Sequence, residues 1–264
     1  MLIFSGALVG FAIGLTGVGG GSLMTPILLL FNYPVAVAIG TDLLYAAITK
    51  ASGMYFHHRH GHVDWKTVSM LALGSIPVSL IINIFIIDEA LTDDADFSAF
   101  LSSFLGVMLI LTALVMVFNR LIQRRLKTDE SDTQKKYYKY LRKHRSKLVF
   151  LLGIILGICV TLSSVGAGAF GAAILFMLFP SWPTKNVVGT DIAHAVPLTA
   201  VAGLGYLLNG LVDFSLLLAL VVGSLPGIYV GTRLGSVLPE KLLRTVLIFV
   251  LLGLGIYFSL AQLH

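Results

Sequence analysis

Two glycine-rich runs in this sequence could each bind a small negatively charged solute. The first is Gly17-Val18-Gly19-Gly20-Gly21-Ser22, and the second, Gly166-Ala167-Gly168-Ala169-Phe170-Gly171, begins 149 residues later. A glycine inside a helix costs about 1 kcal/mol relative to alanine, so each run is expected to break a helix. The amides at the start of the half-helix that follows carry partial positive charge and bind anions without a cationic side chain.

Glycine also lets a ligand approach the backbone closely, and nearby hydroxyl groups can add hydrogen-bond donors. The residues that we expect to bind the solute are Gly17, Gly19, Gly20, Gly21, Ser22, Thr41, Ser164, Gly166, Gly168 and Thr190. The alternative is that glycine and serine only let helices pack closely, as small residues do in membranes. Two runs at matched positions favour the binding site.

Two aspartates are candidates for coupling an ion to the solute. Asp42 and Asp191 each follow a proline, Pro34 or Pro183, by eight residues, which places them about 12 Å into their helices. Carboxylates at such depth in a membrane are costly and usually functional. They could carry a proton, ligate a cation or bond the amides of a broken segment, and the sequence leaves these roles open. His194 is a third candidate for ion coupling, because imidazole titrates near neutral pH.

Two groups of basic residues are predicted to face water and not to bind a ligand. Lys50 could line the path of an anion, but its long side chain is expected to extend to the membrane surface and keep the ammonium in water. The tract His57, His58, His60 and His62 resembles a metal-binding tract, yet no Cys or Glu stands nearby to complete a site. We therefore predict a solvated loop there, no bound metal and no cofactor.

The composition is that of a polytopic membrane protein. Of the 264 residues, 57% are hydrophobic and 12% are charged, whereas soluble proteins carry about 25% charged residues. Most apolar segments reach the roughly 20 residues that a helix needs to cross a hydrocarbon core. Hydropathy counts eight of them, at residues 2–31, 34–57, 64–87, 97–122, 148–180, 184–209, 213–233 and 242–262.

The second half of the sequence repeats the first. Gly40-Thr41-Asp42 aligns with Gly189-Thr190-Asp191, and Gly74-Ser75-x-Pro77 aligns with Gly223-Ser224-x-Pro226. Chance similarity between apolar helices would match Leu and Val instead of these polar and backbone-special residues. We infer a duplication, with a first transmembrane repeat at residues 1–122, a basic loop at 123–147 and a second transmembrane repeat at 148–264.

The positive charge is concentrated between these repeats. Of the 18 Lys and Arg residues, 11 lie between Arg120 and Lys147, which is typical of a cytoplasmic loop and does not favour nucleic-acid binding. All basic loops reach one side only if each glycine-rich segment is a hairpin, re-entrant or fully crossing. The second repeat would then lie upside down relative to the first, as in many transporters. Eight simple spans in parallel repeats are the rival arrangement.

Together these motifs resemble the sulfite exporter TauE/SafE family of membrane permeases. The resemblance consists of GxGGG followed by Pro26, the GTD triplet, the GxxP helix and the repetition of the pattern in the second half. The second copy departs from the first, because Ala169 and Phe170 take the places of Gly20 and Gly21. The second hairpin is therefore expected to be tighter and less exposed to substrate.

The resemblance implies a secondary transporter of bacterial or archaeal inner membranes that moves small sulfur-containing anions such as sulfite or organosulfonates. We expect half-helix N-termini at the repeat interface to hold the anion, with H+ or Na+ as the coupling ion. The choice of ion, the direction of transport and the formation of a homodimer stay open. The alternatives are a passive anion channel, an intramembrane enzyme in which Asp42 and Asp191 imitate a dyad, and a metal-ion carrier.

Overall fold

The computed structural model describes residues 4, 6–11, 23–85, 95–128, 132–166, 168–235 and 240–260. Within these ranges the chain forms helices and turns and no strand, so the predicted all-helical class is confirmed. The first glycine-rich run lies outside the described residues, and with it the predicted site residues Gly17, Gly19, Gly20, Gly21 and Ser22.

Nine labelled helices in the described ranges follow a helical stretch at residues 6–11. They are α1 (Met24–Leu30), α2 (Val35–Arg59), α3 (Trp65–Phe85), α4 (Ala95–Thr128), α5 (Asp132–Ser163), α6 (Ala169–Leu178), α7 (Thr184–Leu208), α8 (Phe214–Gly235) and α9 (Glu240–Leu260). Pro34 and Pro183 are the N-cap residues of α2 and α7. Their extended backbone and lack of an N–H suit the start of a helix.

Six helices in the described part of the chain are long and apolar enough to cross a membrane. They cover Val35–Arg59, Trp65–Ile84, Asp96–Phe118, His144–Ser163, Thr184–Leu208 and Phe214–Gly231, and a shorter apolar helix covers Thr245–Leu260. Many Leu, Ile, Val and Phe side chains on these helices are exposed, as expected for a surface that faces lipid. The chain is therefore a multi-pass membrane protein.

Two stretches that the sequence predicts as loops are largely helical instead. His57 and His58 lie in the last turn of α2, which ends at Arg59. The segment 123–147 is entered from both sides by α4 and α5, which leave only residues 129–131 between them. The physical reason is that Lys, Arg, Gln and Leu are good helix formers, so a polar segment can extend a membrane helix into water.

The second glycine-rich run breaks the helix, as predicted. α5 ends at Ser163, and Gly166 and Gly168 have φ angles of +115° and +126° before α6 begins. The chain then returns to the face from which it came. The Arg145 guanidinium, at the start of the apolar part of α5, lies 4.4 Å from the ring centroid of Phe179, directly after α6. α5 and α6 therefore form a hairpin.

Positions 149 residues apart share the same backbone geometry. Gly61 and Gly210 follow α2 and α7 with φ angles of +68° and +71°, which glycine adopts without the steric penalty of a Cβ. Asp64 and Asp213 each accept an N–H three residues later, at 2.7 and 3.0 Å, and so cap α3 and α8. Hydrogen bonds from the Ser215 hydroxyl and the α8 backbone lower the pKa of Asp213 below its usual value.

α2 and α7 pack antiparallel through a reciprocal pair of hydrogen bonds. The Asp213 N–H donates to Thr41 Oγ1 at 3.3 Å, and the Asp64 N–H donates to Thr190 Oγ1 at 3.1 Å. Thr41 lies near the start of α2, whereas Asp213 follows the end of α7. The start of each helix therefore lies beside the end of the other.

Gly40 and Gly189 explain why each triplet begins with glycine. A Cβ at Gly40 would lie 2.5 Å from the Leu211 carbonyl oxygen, and a Cβ at Gly189 would lie 2.7 Å from the His62 carbonyl oxygen. Both separations are too short for a real side chain. The glycine of each GTD triplet thus makes room for a loop of the other half, and the threonine binds that loop.

Other close helix contacts also join the two halves. Gly157 brings the backbone of α5 against Ser75 of α3, and Gly10 brings the helical stretch 6–11 against Ser224 of α8. Small residues allow such approach, which strengthens packing where lipid provides no hydrophobic driving force. Each half therefore packs its first helix against a helix of the other half.

Replacing Thr190 with valine should lower the thermal stability of the purified protein in detergent. The substitution removes the acceptor of the Asp64 N–H, and one such hydrogen bond contributes about 0.5–1.5 kcal/mol to the free energy of unfolding. Thr49→Val is the matched control, because Thr49 Oγ1 donates only to carbonyls of its own helix. Equal losses in the two variants would show that the bond between the halves contributes nothing.

Candidate functional site

Four buried polar side chains from α2 and α7 gather beside the break between α5 and α6. They are Asp42 and Lys50 of α2 and Asp191 and His194 of α7, and each is at least nine-tenths buried. Isolated charges in the interior of a membrane protein are costly, and such residues usually pair with one another or mark the path of a solute. Their partners therefore decide what the site can do.

Asp42 holds the start of α1. Its Oδ2 accepts the Thr25 N–H at 3.2 Å and the Thr25 hydroxyl at 2.6 Å. Thr25 lies in the first turn of α1, where amides have no carbonyl one turn earlier to bond. A carboxylate of the protein thus satisfies this amide, and Asp42 joins α2 to the start of α1.

Ser163 and Ser164 shape the turn at the second break. The Ser163 hydroxyl donates to the Cys159 carbonyl at 2.6 Å and accepts the Val165 N–H at 3.2 Å, which closes the end of α5. Ser164 has a φ angle of +56°, which is uncommon for a residue with a side chain. Its buried hydroxyl lies near the Asp42 carboxylate but completes no hydrogen bond with any described residue. It is a hydroxyl between the two halves, beside the Asp42 carboxylate.

Asp191 and Asp42 differ in what binds their carboxylates. The Oδ1 atom of each is buried without a donor among the described residues, but Asp42 also accepts two hydrogen bonds from Thr25 through Oδ2. No group in the described ranges donates a hydrogen bond to Asp191 Oδ1. In the second half the position of Thr25 is taken by Ile174, which offers no hydroxyl. Oδ1 instead faces Gly171 in the first turn of α6, where an added Cβ would collide with it. Asp191 is therefore next to the break without being tied to it.

The start of α6 presents backbone amides without a side-chain cap. Its N-cap residue is Gly168, which makes no side-chain hydrogen bond, and the helix is 10 residues long. The amides of Gly171 and Ala172 donate to the carbonyls of Gly166 and Gly168 at 3.1 and 3.0 Å. By helix geometry, the amides ahead of Gly171 have no carbonyl one turn earlier. These amides and the helix dipole favour a negatively charged group at this point.

Lys50 is buried within the protein, so the prediction that its ammonium reaches the membrane surface is wrong. Its ammonium interacts electrostatically with both Asp42 and Asp191. Two buried carboxylates, one from each half, attract the cation inward. The sequence indicates the interaction with Asp42, because Lys50 follows Asp42 by eight residues and so lies on the same face of α2. It does not indicate the interaction with Asp191, which depends on where α7 packs.

His194 connects α7 to α3. Its Nε2 lies 2.9 Å from the Ser75 hydroxyl, while no described group bonds its Nδ1. The Ser75 contact fixes the orientation of the ring and influences which nitrogen carries the proton. The equivalent residue in the first half is Tyr45, so only α7 places an imidazole beside the charged cluster.

The predicted site residues thus fall into three groups. Those at or beside the second break are Asp42, Ser164, Gly166, Gly168, Asp191 and His194. Thr41 and Thr190 lie at opposite ends of the pair formed by α2 and α7, where each hydroxyl accepts an N–H from a loop. The residues of the first run, from Gly17 to Ser22, lie outside the described residues.

The histidine tract is a cluster of packed rings. His57 and His60 contact the Phe56 ring, and the His62 ring packs against both of them. In the described part of the chain, no group of three His, Cys, Asp or Glu residues is arranged to hold a metal ion. The tract therefore supplies no observation that favours a metal-ion carrier.

Comparison with known proteins assigns this architecture to a class. A family model described as "Sulfite exporter TauE/SafE" matches residues 2–258. The Bacillus subtilis (strain 168) protein named "Probable membrane transporter protein YjnA" is 33% identical over 256 residues, which are 97% of each chain. The "Probable membrane transporter protein YdhB" of the same strain is 28% identical over 250 residues, or 91% of each chain. No solved structure matches the chain.

A multi-pass helical protein with a broken membrane helix, buried charges and transporter relatives along its whole length is a membrane transporter. The chain belongs to the sulfite exporter TauE/SafE family. The resemblance that the two glycine-rich runs and the GTD triplets indicate is therefore confirmed.

Gly168→Ala should reduce the initial rate of solute transport by the protein in proteoliposomes. The φ angle of +126° at this position disfavours any side chain, and such strain costs about 1–3 kcal/mol unless the start of α6 moves. Gly253→Ala is the control, because an added Cβ there meets no described atom within 4 Å. Wild-type uptake by the Gly168 variant would show that the geometry of the break is irrelevant to transport.

Proposed function

We propose that the protein is a secondary transporter of small sulfur-containing anions such as sulfite or organosulfonates. The observation that carries the proposal is the uncapped start of α6, which lies beside Asp191 where α2 and α7 meet. The backbone amides and the Lys50 ammonium supply positive charge, and the Ser164 hydroxyl supplies a donor. The description of the family supports a sulfur oxyanion as the solute.

The solute would contact both broken segments in this proposal. Gly166, Gly168 and Ser164 would form one wall, and we expect the first run, Gly17 to Ser22, which lies outside the described residues, to contribute the other. Thr41 and Thr190 border the two ends of the path, because they bind the loops there.

The length of α6 supports a site near the middle of the bilayer. Its 10 residues correspond to about 15 Å at 1.5 Å per residue, half of a hydrocarbon core of roughly 30 Å. Phe179, after the end of α6, contacts Arg145 at one face. The start of α6 would then lie halfway across.

We also propose that the two halves are inverted-topology repeats. The reciprocal bonds of Thr41 and Thr190 are what a two-fold axis across the helices would produce. Transporters with such repeats alternate access by moving one part of the fold against the other around a fixed site. The repeats would comprise residues 1–122 and 148–264, and the basic segment 123–147 would face the cytoplasm of a bacterial or archaeal cell.

The charges of the site support coupling to a cation. Asp42 and Asp191 outnumber the single ammonium of Lys50, so an entering anion would add to a negative site. Like charges repel strongly at low dielectric, and a proton or sodium ion that enters with the anion removes this cost. Asp191 is the natural acceptor, because Thr25 binds the Asp42 carboxylate while Ile174, at the matching position, offers Asp191 no such bond. His194 is the second candidate.

The proposal is tested by currents from reconstituted protein on a solid-supported membrane. Sulfite, sulfate, thiosulfate and small sulfonates would be applied at several pH values, with and without sodium. We expect currents for sulfite or a sulfonate that depend on pH or sodium, together with accumulation against a concentration gradient. Flux that only follows the electrochemical gradient would identify a channel, and no flux of any sulfur anion would refute the proposed solute.

A further inference from the structure

A cavity separate from the cluster around Lys50 lies at the face where the α5–α6 hairpin begins and ends. Its volume is about 290 Å³, just below the roughly 300–1,000 Å³ that ligand pockets occupy. The residues that line it are Asp64, Lys66, Thr67, Met70, Arg145, Ser146, Val149, Phe179 and Trp182. The cavity therefore joins the start of α3 to both ends of the hairpin, and so joins the two halves of the chain.

Arg145 is the residue of this cavity that is best suited to bind a ligand. Its guanidinium lies over the Phe179 ring at 4.4 Å, and the ring of Trp182 lies 3.9 Å from that of Phe179 between centroids. Arg145 Nε is buried, and no group in the described residues accepts its hydrogen. An arginine held by an aromatic ring with a spare N–H is prepared to bind an oxyanion, because its planar donors match carboxylate, sulfonate and phosphate oxygens.

The other charges of the cavity favour an anion as well. Lys66 adds a second positive charge, while Asp64 adds the single negative one. The Asp64 carboxylate already accepts the Thr67 N–H at 2.7 Å, so its charge is partly neutralised at the start of α3. Thr67 and Ser146 bring two hydroxyl groups to the lining. The net charge of the lining is positive, and its donors outnumber its free acceptors.

The cavity is connected to the charged cluster by two routes. The Asp64 N–H donates to Thr190, which directly precedes Asp191. α6 begins beside Asp191 and ends next to Phe179 in the cavity, about 15 Å away along its axis. An anion bound in the cavity would thus be half a membrane away from the start of α6, on the face that carries the basic segment.

We propose that this cavity is a second oxyanion-binding site, at which the solute docks through Arg145 before it reaches Lys50 and Asp191. The inference rests on the proposed function for the class of its ligand, a small sulfur oxyanion. A lipid headgroup offers the same oxyanion chemistry and would compete for the same donors.

Trp182 allows binding in the cavity to be measured separately from transport. The chain has 2 tryptophans, and the other, Trp65, is removed by Trp65→Phe. Titrating sulfite into this variant in neutral-lipid nanodiscs should change the Trp182 fluorescence saturably. Arg145→Gln in the same background should raise the dissociation constant at least tenfold, and Arg145→Lys should give an intermediate value. Lys147→Gln, an exposed neighbour outside the cavity, should leave it unchanged.

The outcomes separate this site from the proposed transport. Lys50→Gln should stop transport and still show the Trp182 response. A response that Arg145→Gln does not weaken, or no saturable response at all, would overturn the cavity as an anion site, whatever the transport currents show. If Arg145→Gln elutes as aggregate, Lys66→Gln serves as the second variant and should weaken binding in the same direction. In nanodiscs with phosphatidylglycerol, a weaker apparent affinity identifies the headgroup as a competing occupant, and no change identifies the free solute alone.

Discussion

Lys50→Gln should abolish the accumulation of sulfite by proteoliposomes. The substitution leaves two buried carboxylates without their shared cation, and removing one partner of a buried pair costs about 3–5 kcal/mol. If this free energy is lost from the binding of the anion, uptake drops by a factor of more than about 100. Thr199→Val is the matched control. Thr199 occupies the equivalent position in the second half, and its hydroxyl donates to carbonyls of its own helix.

A double variant separates folding from transport at Lys50. Lys50→Gln combined with Asp191→Asn removes one charge of each sign, so the thermal stability lost in the single variant should return. Transport should not return, because the cation that faces the solute is still missing. Uptake at the wild-type rate by the double variant would show that Lys50 only neutralises carboxylates and takes no part in holding the anion.

Asp191→Asn should have the second largest effect, and it should act on coupling more than on binding. No threonine corresponds to Thr25 beside Asp191, and its buried Oδ1 has no donor among the described residues, so we expect this carboxylate to take up a cation. Its amide counterpart cannot do so. We expect sulfite accumulation driven by a proton or sodium gradient to be lost, while exchange of internal for external sulfite continues.

Asp42→Asn is the comparison for this prediction. Asp42 accepts two hydrogen bonds from Thr25, so its replacement should loosen α1 and lower thermal stability and exchange together. Parallel measurements of driven accumulation and exchange distinguish the two aspartates. Equal loss of both activities in Asp191→Asn would argue that Asp191, like Asp42, is structural.

The two aspartates occupy equivalent positions in the repeats but have different partners. Both occupy the third position of a GTD triplet, and both are buried. The difference lies in their partners, because Thr25 faces Asp42 and Ile174 takes the matching place in the second half. In the first copy the aspartate therefore holds the start of α1, whereas in the second no threonine ties Asp191 to α6.

The break in the second half could be predicted from the sequence because its cause is local. Gly166 and Gly168 adopt positive φ angles that few other residues tolerate. A glycine-rich run inside an apolar segment therefore indicates the break directly. The multi-pass helical class was predictable for a similar reason, since the length and hydropathy of a segment determine whether it can cross lipid.

The contacts of Lys50 and of the GTD threonines could not be predicted, because they depend on packing. Whether Lys50 turns inward depends on Asp191, which comes from a helix far along the chain. That Thr41 and Thr190 bind the solute stays a prediction, and the sequence does not show that their hydroxyls accept loop amides of the opposite half. The sequence marks these positions as special without stating which neighbour they meet.

Locating a bound anion tests the central claim of this account most directly. Selenite has the charge and shape of sulfite, and its selenium scatters anomalously. Anomalous diffraction from a crystal of the protein grown with selenite would therefore locate the bound ion. We predict an anomalous peak within hydrogen-bond distance of the amides at the start of α6, between Lys50 and Ser164. A crystal that contains selenite at saturating concentration with no peak at that place, or with peaks only at the histidine tract, would contradict the account.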